Sequence, residues 1–167
     1  MRHALPLLFA IALPLSAADN VYESPAGHQC LVEVLRKSGW GLAGPFERAA
    51  FIVQKLDGTL GCEEWPSVHA YHAEQFHGAI PPQAIAIVHT HPVNFPMPSL
   101  QDNKEATRLA IPIYTLTIRG VYKSVPGLQG AVMITNRQSW VRETPSLAPL
   151  RADKLSIDVK SDGLANK

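Results

Sequence analysis

The run Gln83-Ala84-Ile85-Ala86-Ile87-Val88-His89-Thr90-His91, stopped by Pro92, constrains the fold more than any other part of this sequence. From Ala84 to Val88 every position is apolar and none alternates with a polar residue. A strand that faces water on one side does alternate, so this run reads as a central strand covered on both faces.

Other segments supply the covering. Leu31, Val34 and Leu35 fall at helical spacing between His28 and Lys37, and Ser38-Gly39 follows, which predicts an amphipathic helix with a glycine stop after a polar lead-in from Asp19 to Gly27. Ala50 to Val53 is a strand core, and Asp57-Gly58 marks a turn. Pro66 to Phe76 is loosely periodic and reads as a candidate helix, while Val93 to Pro98 is a loop. Ser99 reads as the N-cap of a second helix, with Asp102 three residues on, a body from Asn103 to Leu109, and Pro112 as its end. Ile113 to Tyr122 alternates as a strand, and Gly130 to Thr135 with Ser139 to Arg142 predicts a closing strand pair around Asn136-Arg137. Mixed strands and helices make the class α/β or α+β, and no internal repeat is evident.

The chain has 167 residues, enough for one domain, with 46% hydrophobic residues and a formal net charge of +1. That balance excludes a chain disordered throughout, and the scattered basic residues give no electrostatic footprint for nucleic acid. Part of the apolar content sits at the start. Residues 1–18 carry Arg2, an apolar stretch from Ala4 to Leu15, and then Ser16, Ala17 and Ala18, the layout of a signal peptide cut before Asp19. The stretch is too short, and too broken by Pro6 and Pro14, for a membrane span of about 20 residues. The expected organisation is therefore a signal peptide over 1–18, a domain over 19–150, and a polar, frayed tail over 151–167. The expected location is secreted or periplasmic, with no stable membrane anchor after cleavage. An oxidising compartment favours a disulfide between Cys30 and Cys62; two buried thiols or a Cys metal site are the alternatives.

The chemistry concentrates at the end of the apolar run. On a strand, residues two apart share a face, so His89 and His91 project side by side from a rigid element. Asp102, on the first turn of the following helix, can supply a third donor, and a His2Asp set leaves one position open, as in catalytic zinc sites. Taken singly, each part has a plainer explanation: an HxH pair with local hydrogen bonds, and a capping box at Ser99 and Asp102.

Taken together, the stretch HTHPVNFPMPSLQD fits H-x-H-P-x6-S-x2-D at every specified position. It resembles the JAMM (MPN-plus) zinc metalloprotease family, from about Glu47 to the strand after Asp102. The resemblance implies a single MPN/JAMM-like α/β domain with a curved mixed β-sheet flanked by helices. It also implies one zinc ion per chain on His89, His91 and Asp102, with Ser99 hydrogen-bonding the oxyanion or the metal-bound water. The family's upstream general-base Glu opens a strand roughly forty residues before the histidines, and Glu47 in PFERAAFIVQ matches it; Glu33, Glu63, Glu64 and Glu74 are the other carboxylates.

Phe95 and Met97 lie in the loop between the ligands and are candidates for substrate contact. His69, His72 and His77 read as surface or cleft residues, and Trp40, Trp65 and Trp140 as core or rim aromatics. The implied function is an exported zinc-dependent metallopeptidase that hydrolyses a peptide or isopeptide amide in a peptide or protein substrate. The alternative is a catalytically inactive MPN-like binding module or a non-catalytic metal-binding protein.

Overall fold

A computed structural model describes residues 21–39, 46–66, 76–91, 97–117 and 119–136. The signal-peptide segment, the tail, most of the Pro66–Phe76 segment, Trp40, Glu74, Phe95, Trp140 and the Ser139–Arg142 strand lie outside the described residues.

The expected central strand is β3, Ala84–Thr90, and it lies inside a six-stranded sheet. The other strands are β1 (Ala49–Gln54), β2 (Leu60–Glu64), β4 (Ile113–Thr117), β5 (Gly120–Ser124) and β6 (Ala131–Asn136), in the spatial order β2-β1-β3-β4-β5-β6. β3 and β4 are parallel and every other pair is antiparallel. A parallel pair cannot be joined by a tight turn. Here the crossover is made by α2, Leu100–Leu109.

Alternation along the strands sorts their side chains into two apolar layers. Ala50, Ile52, Ala86, Val88, Tyr114 and Leu116 face α1, Pro25–Lys37, which contributes Leu31, Val34 and Leu35. Phe51, Val53, Ile87 and Ile113 face the opposite side, where Ala106 of α2 packs. The continuous run therefore serves both layers, as its lack of alternation predicts, and the architecture is a mixed α/β sheet flanked by two helices.

Three sequence expectations need correction. α1 starts at Pro25, three residues before His28: Ser24 is its N-cap and accepts from the Gly27 N–H at 3.0 Å, while Pro25 sits in the first turn, where its missing N–H is harmless. Gly27, the end of the expected lead-in, lies inside the helix, and glycine is needed there because a Cβ would stand 2.0 Å from the Val21 carbonyl oxygen.

The expected strand Ile113–Tyr122 is two strands, β4 and β5, folded into a hairpin that pairs Thr117 with Gly120. Gly120 has φ +144°, and a Cβ there would stand 2.1 Å from the Thr135 carbonyl oxygen, so glycine permits both the turn and the approach of β6. β2 was not anticipated at all. It is a polar edge strand, half-buried to exposed, held to β1 on one side.

The bond between Cys30 on α1 and Cys62 on β2, with Cα atoms 5.5 Å apart, fastens that edge strand to the helix. Lys37 and Arg48 both pair with Glu64 on the same edge. Among the described residues no helix is long and apolar enough to cross a membrane.

Candidate metal centre

His89 and His91 leave the end of β3 on the α2 side of the sheet. His91 lies just past the strand, and its N–H donates to the Leu116 carbonyl at 2.8 Å, which continues the parallel ladder and fixes its direction. Asp102 returns to the pair on the first turn of α2. Its Oδ1 lies 3.2 Å from His89 Nε2 and its Oδ2 lies 3.7 Å from His91 Nε2. One donor atom from each of the three residues falls within 4.8 Å of the others, close enough for all three to hold one metal ion. His91 and Asp102 are buried and His89 is half-buried.

The local bonds prepare this set. His91 Nδ1 lies 2.9 Å from the Met97 carbonyl oxygen, which can only accept, so Nδ1 carries the hydrogen and a neutral ring presents a lone pair at Nε2. His89 Nε2 lies 3.0 Å from Thr115 Oγ1, on the neighbouring strand opposite it.

The capping box is present and compatible with ligation. The Ser99 N–H donates to Asp102 Oδ2 at 2.6 Å, and the Asp102 N–H donates to Ser99 Oγ at 3.2 Å. These bonds aim the carboxylate, and because Oγ accepts in the cap, the Ser99 O–H hydrogen is still available to donate elsewhere.

Glu47 joins the group through backbone pairing. β1 sets Ala49 opposite His89. Beyond the strand end, the Arg48 N–H donates to Thr90 Oγ1 and the Thr90 N–H to the Arg48 carbonyl, both at 3.0 Å. Extending that register by two places sets Glu47 opposite His91. Glu47 is buried and lines the same cleft of about 710 Å³ as His89, His91, Ser99 and Asp102.

The three other candidate bases among the described residues sit elsewhere. Glu33 is on α1, across the sheet, and Glu63 and Glu64 are on the outer end of β2. Met97 contributes its carbonyl to His91, and the residue is 46% exposed. His77 is exposed and borders the cleft.

Two features escaped the sequence reading. Thr115 reaches His89 only because β4 lies parallel to β3. Phe51, Trp65 and Phe76 form an aromatic trio with ring centroids 4.8–5.2 Å apart, and all three line the cleft.

Burial pushes the His89 pKa down from 6.5 to about 4; nearby Asp102 opposes the shift and His91 adds to it. At neutral pH His89 is therefore uncharged and able to ligate. In the metal-free protein the unfolded state takes up this proton more readily than the folded state between pH 6.5 and about 4. The stabilising contribution is complete above about 6.5 and is lost as the pH falls through that window. Urea unfolding with chelator at pH 7 and pH 4.5 should show a smaller acid loss in His89→Asn than in wild type; equal losses would contradict it.

No protein-family model, curated protein or solved structure matches the chain.

Proposed function

We propose that this chain is an exported zinc-dependent metallopeptidase of JAMM type that hydrolyses a peptide or isopeptide amide bond. The observation that carries the reading is the meeting of His89, His91, Asp102, Ser99 and Glu47 on one cleft, although Glu47 is 42 residues from His89 in sequence. Two imidazole nitrogens and a carboxylate, with the His91 ring already fixed by its bond to the Met97 carbonyl, suit zinc with an open position.

Bound there, zinc supplies Lewis acidity, making a carbonyl more electrophilic and a water more acidic. Glu47 takes a proton from the attacking water as its oxygen bonds to the carbonyl carbon, then delivers that proton to the amine as the C–N bond breaks. Ser99 donates its O–H to the oxygen on which negative charge develops. The Cys30–Cys62 bond and the residue pattern of 1–18 support an exported protein in an oxidising compartment.

The test is zinc titration after chelation, followed by assay on a mixed peptide and isopeptide panel. One zinc per chain and chelator-sensitive hydrolysis are expected. Asp102→Ala should weaken zinc at least tenfold and also lose about 1 kcal/mol of capping. Asp102→Asn keeps an acceptor for the Ser99 N–H, so it should weaken zinc while retaining more stability. Failure to bind zinc overturns the reading, and stoichiometric zinc without hydrolysis of any substrate favours the non-catalytic alternative.

A further inference from the structure

We infer that the aromatic trio beside the metal centre is a specificity subsite for a large hydrophobic side chain, aromatic or branched aliphatic, carried by the peptide within two residues of the scissile amide. This rests on the peptidase reading for the word scissile, though the subsite itself can be tested by binding alone.

The geometry ties the trio to the metal group. Phe51 pairs with Ile87 across β1 and β3, one same-face step from the Ala49–His89 pair. That step is roughly 7 Å, the length of two residues of extended peptide. Trp65 continues the β2 side of the sheet, its N–H donating to the Ala49 carbonyl at 3.0 Å. Trp65, Ala49 and His89 thus lie at one level on three neighbouring strands. A chain placed with its carbonyl at the histidines has the aromatic floor within reach of its adjacent side chains.

The trio is more than the underside of the core. Phe51 is buried, but Trp65 and Phe76 are only half-buried, and Ile80, 38% exposed, borders the same cleft. From α2 the cleft is lined by Gln101, Glu105 and Arg108 as well as Leu109, so polar groups stand beside its apolar side. A charged side chain on the apolar side would lose hydration without a partner, and glycine would bury nothing there.

Blocked alanine pentapeptides with a single Phe, Leu, Gly or Lys at each internal position in turn are titrated by calorimetry into zinc-loaded Glu47→Gln protein, which reads binding without turnover. At the favoured position the Phe and Leu peptides should bind about tenfold to a hundredfold more tightly than Gly, and Lys no more tightly than Gly. Ile80→Ser, a change at an exposed side chain, and Trp65→Ala, which removes a half-buried ring from the floor, should each reduce the preference. Equal affinities, a preference for Lys, no binding up to millimolar peptide, or a preference untouched by both substitutions overturns the subsite. Failure of the peptidase reading shows separately, as selective binding by a wild-type, zinc-loaded protein that leaves the Phe peptide intact.

Discussion

Replacing Glu47 with Gln is expected to slow amide hydrolysis by about 10²–10⁴-fold while leaving one zinc bound per chain. The amide matches the carboxylate in volume and can still hydrogen-bond, so packing at this buried position is preserved. What it cannot do is accept a proton at neutral pH. Because Glu47 stands outside the three-residue donor group, its removal takes no ligand from the metal. The loss should therefore appear in kcat/KM and in kcat, with zinc stoichiometry unchanged. Glu33→Gln is the control: Glu33 accepts from Gln29 on α1, on the far side of the sheet, and should leave the rate unaffected. Unchanged activity in Glu47→Gln would remove Glu47 from the chemistry, and loss of zinc would make it a ligand.

How far such roles can be read from sequence depends on how local the determinants are. The apolar run of β3 predicts its central place because burial on two faces leaves a mark in the run itself. The strand spacing of His89 and His91 and the cap spacing of Ser99 and Asp102 are similarly local, and the fold brings the two together across the 92–98 connection.

The misread pieces depend on distant partners. Nothing within Ile113 to Tyr122 signals that Gly120 must admit the Thr135 carbonyl, so an alternating pattern reads as one strand instead of a hairpin. Leu60 to Glu64 has too little apolar character to read as a strand, since its support comes from β1 pairing and the bond to α1. The aromatic trio draws on residues 51, 65 and 76, which share a surface only once β1 and β2 are paired. A chain-local reading can propose the donors of the metal group, whereas the floor beside them needs the register.

That dependence on the edge makes the Cys30–Cys62 bond the stability element with the largest expected effect. It closes a 32-residue separation, for which chain entropy gives about 3–4 kcal/mol. The double variant Cys30→Ala/Cys62→Ala should lose about that much stability, and its Tm should fall by roughly 10 °C. Other contacts hold the same parts together: Leu31, Val34 and Leu35 keep α1 on the sheet, and Glu64 keeps its pairs with Lys37 and Arg48. The variant should therefore fold, with β2 as the first part to exchange its amide hydrogens. The donor group lies on the α2 face of β3, with the sheet between it and α1, so zinc affinity should change less than twofold. Reductant provides the internal check, because it should lower the wild-type Tm to nearly that of the variant and leave the variant unmoved. A wild-type Tm indifferent to reductant would mean that the bond does not form. A variant that lost zinc together with stability would instead mean that the α1 and α2 layers are coupled through the sheet.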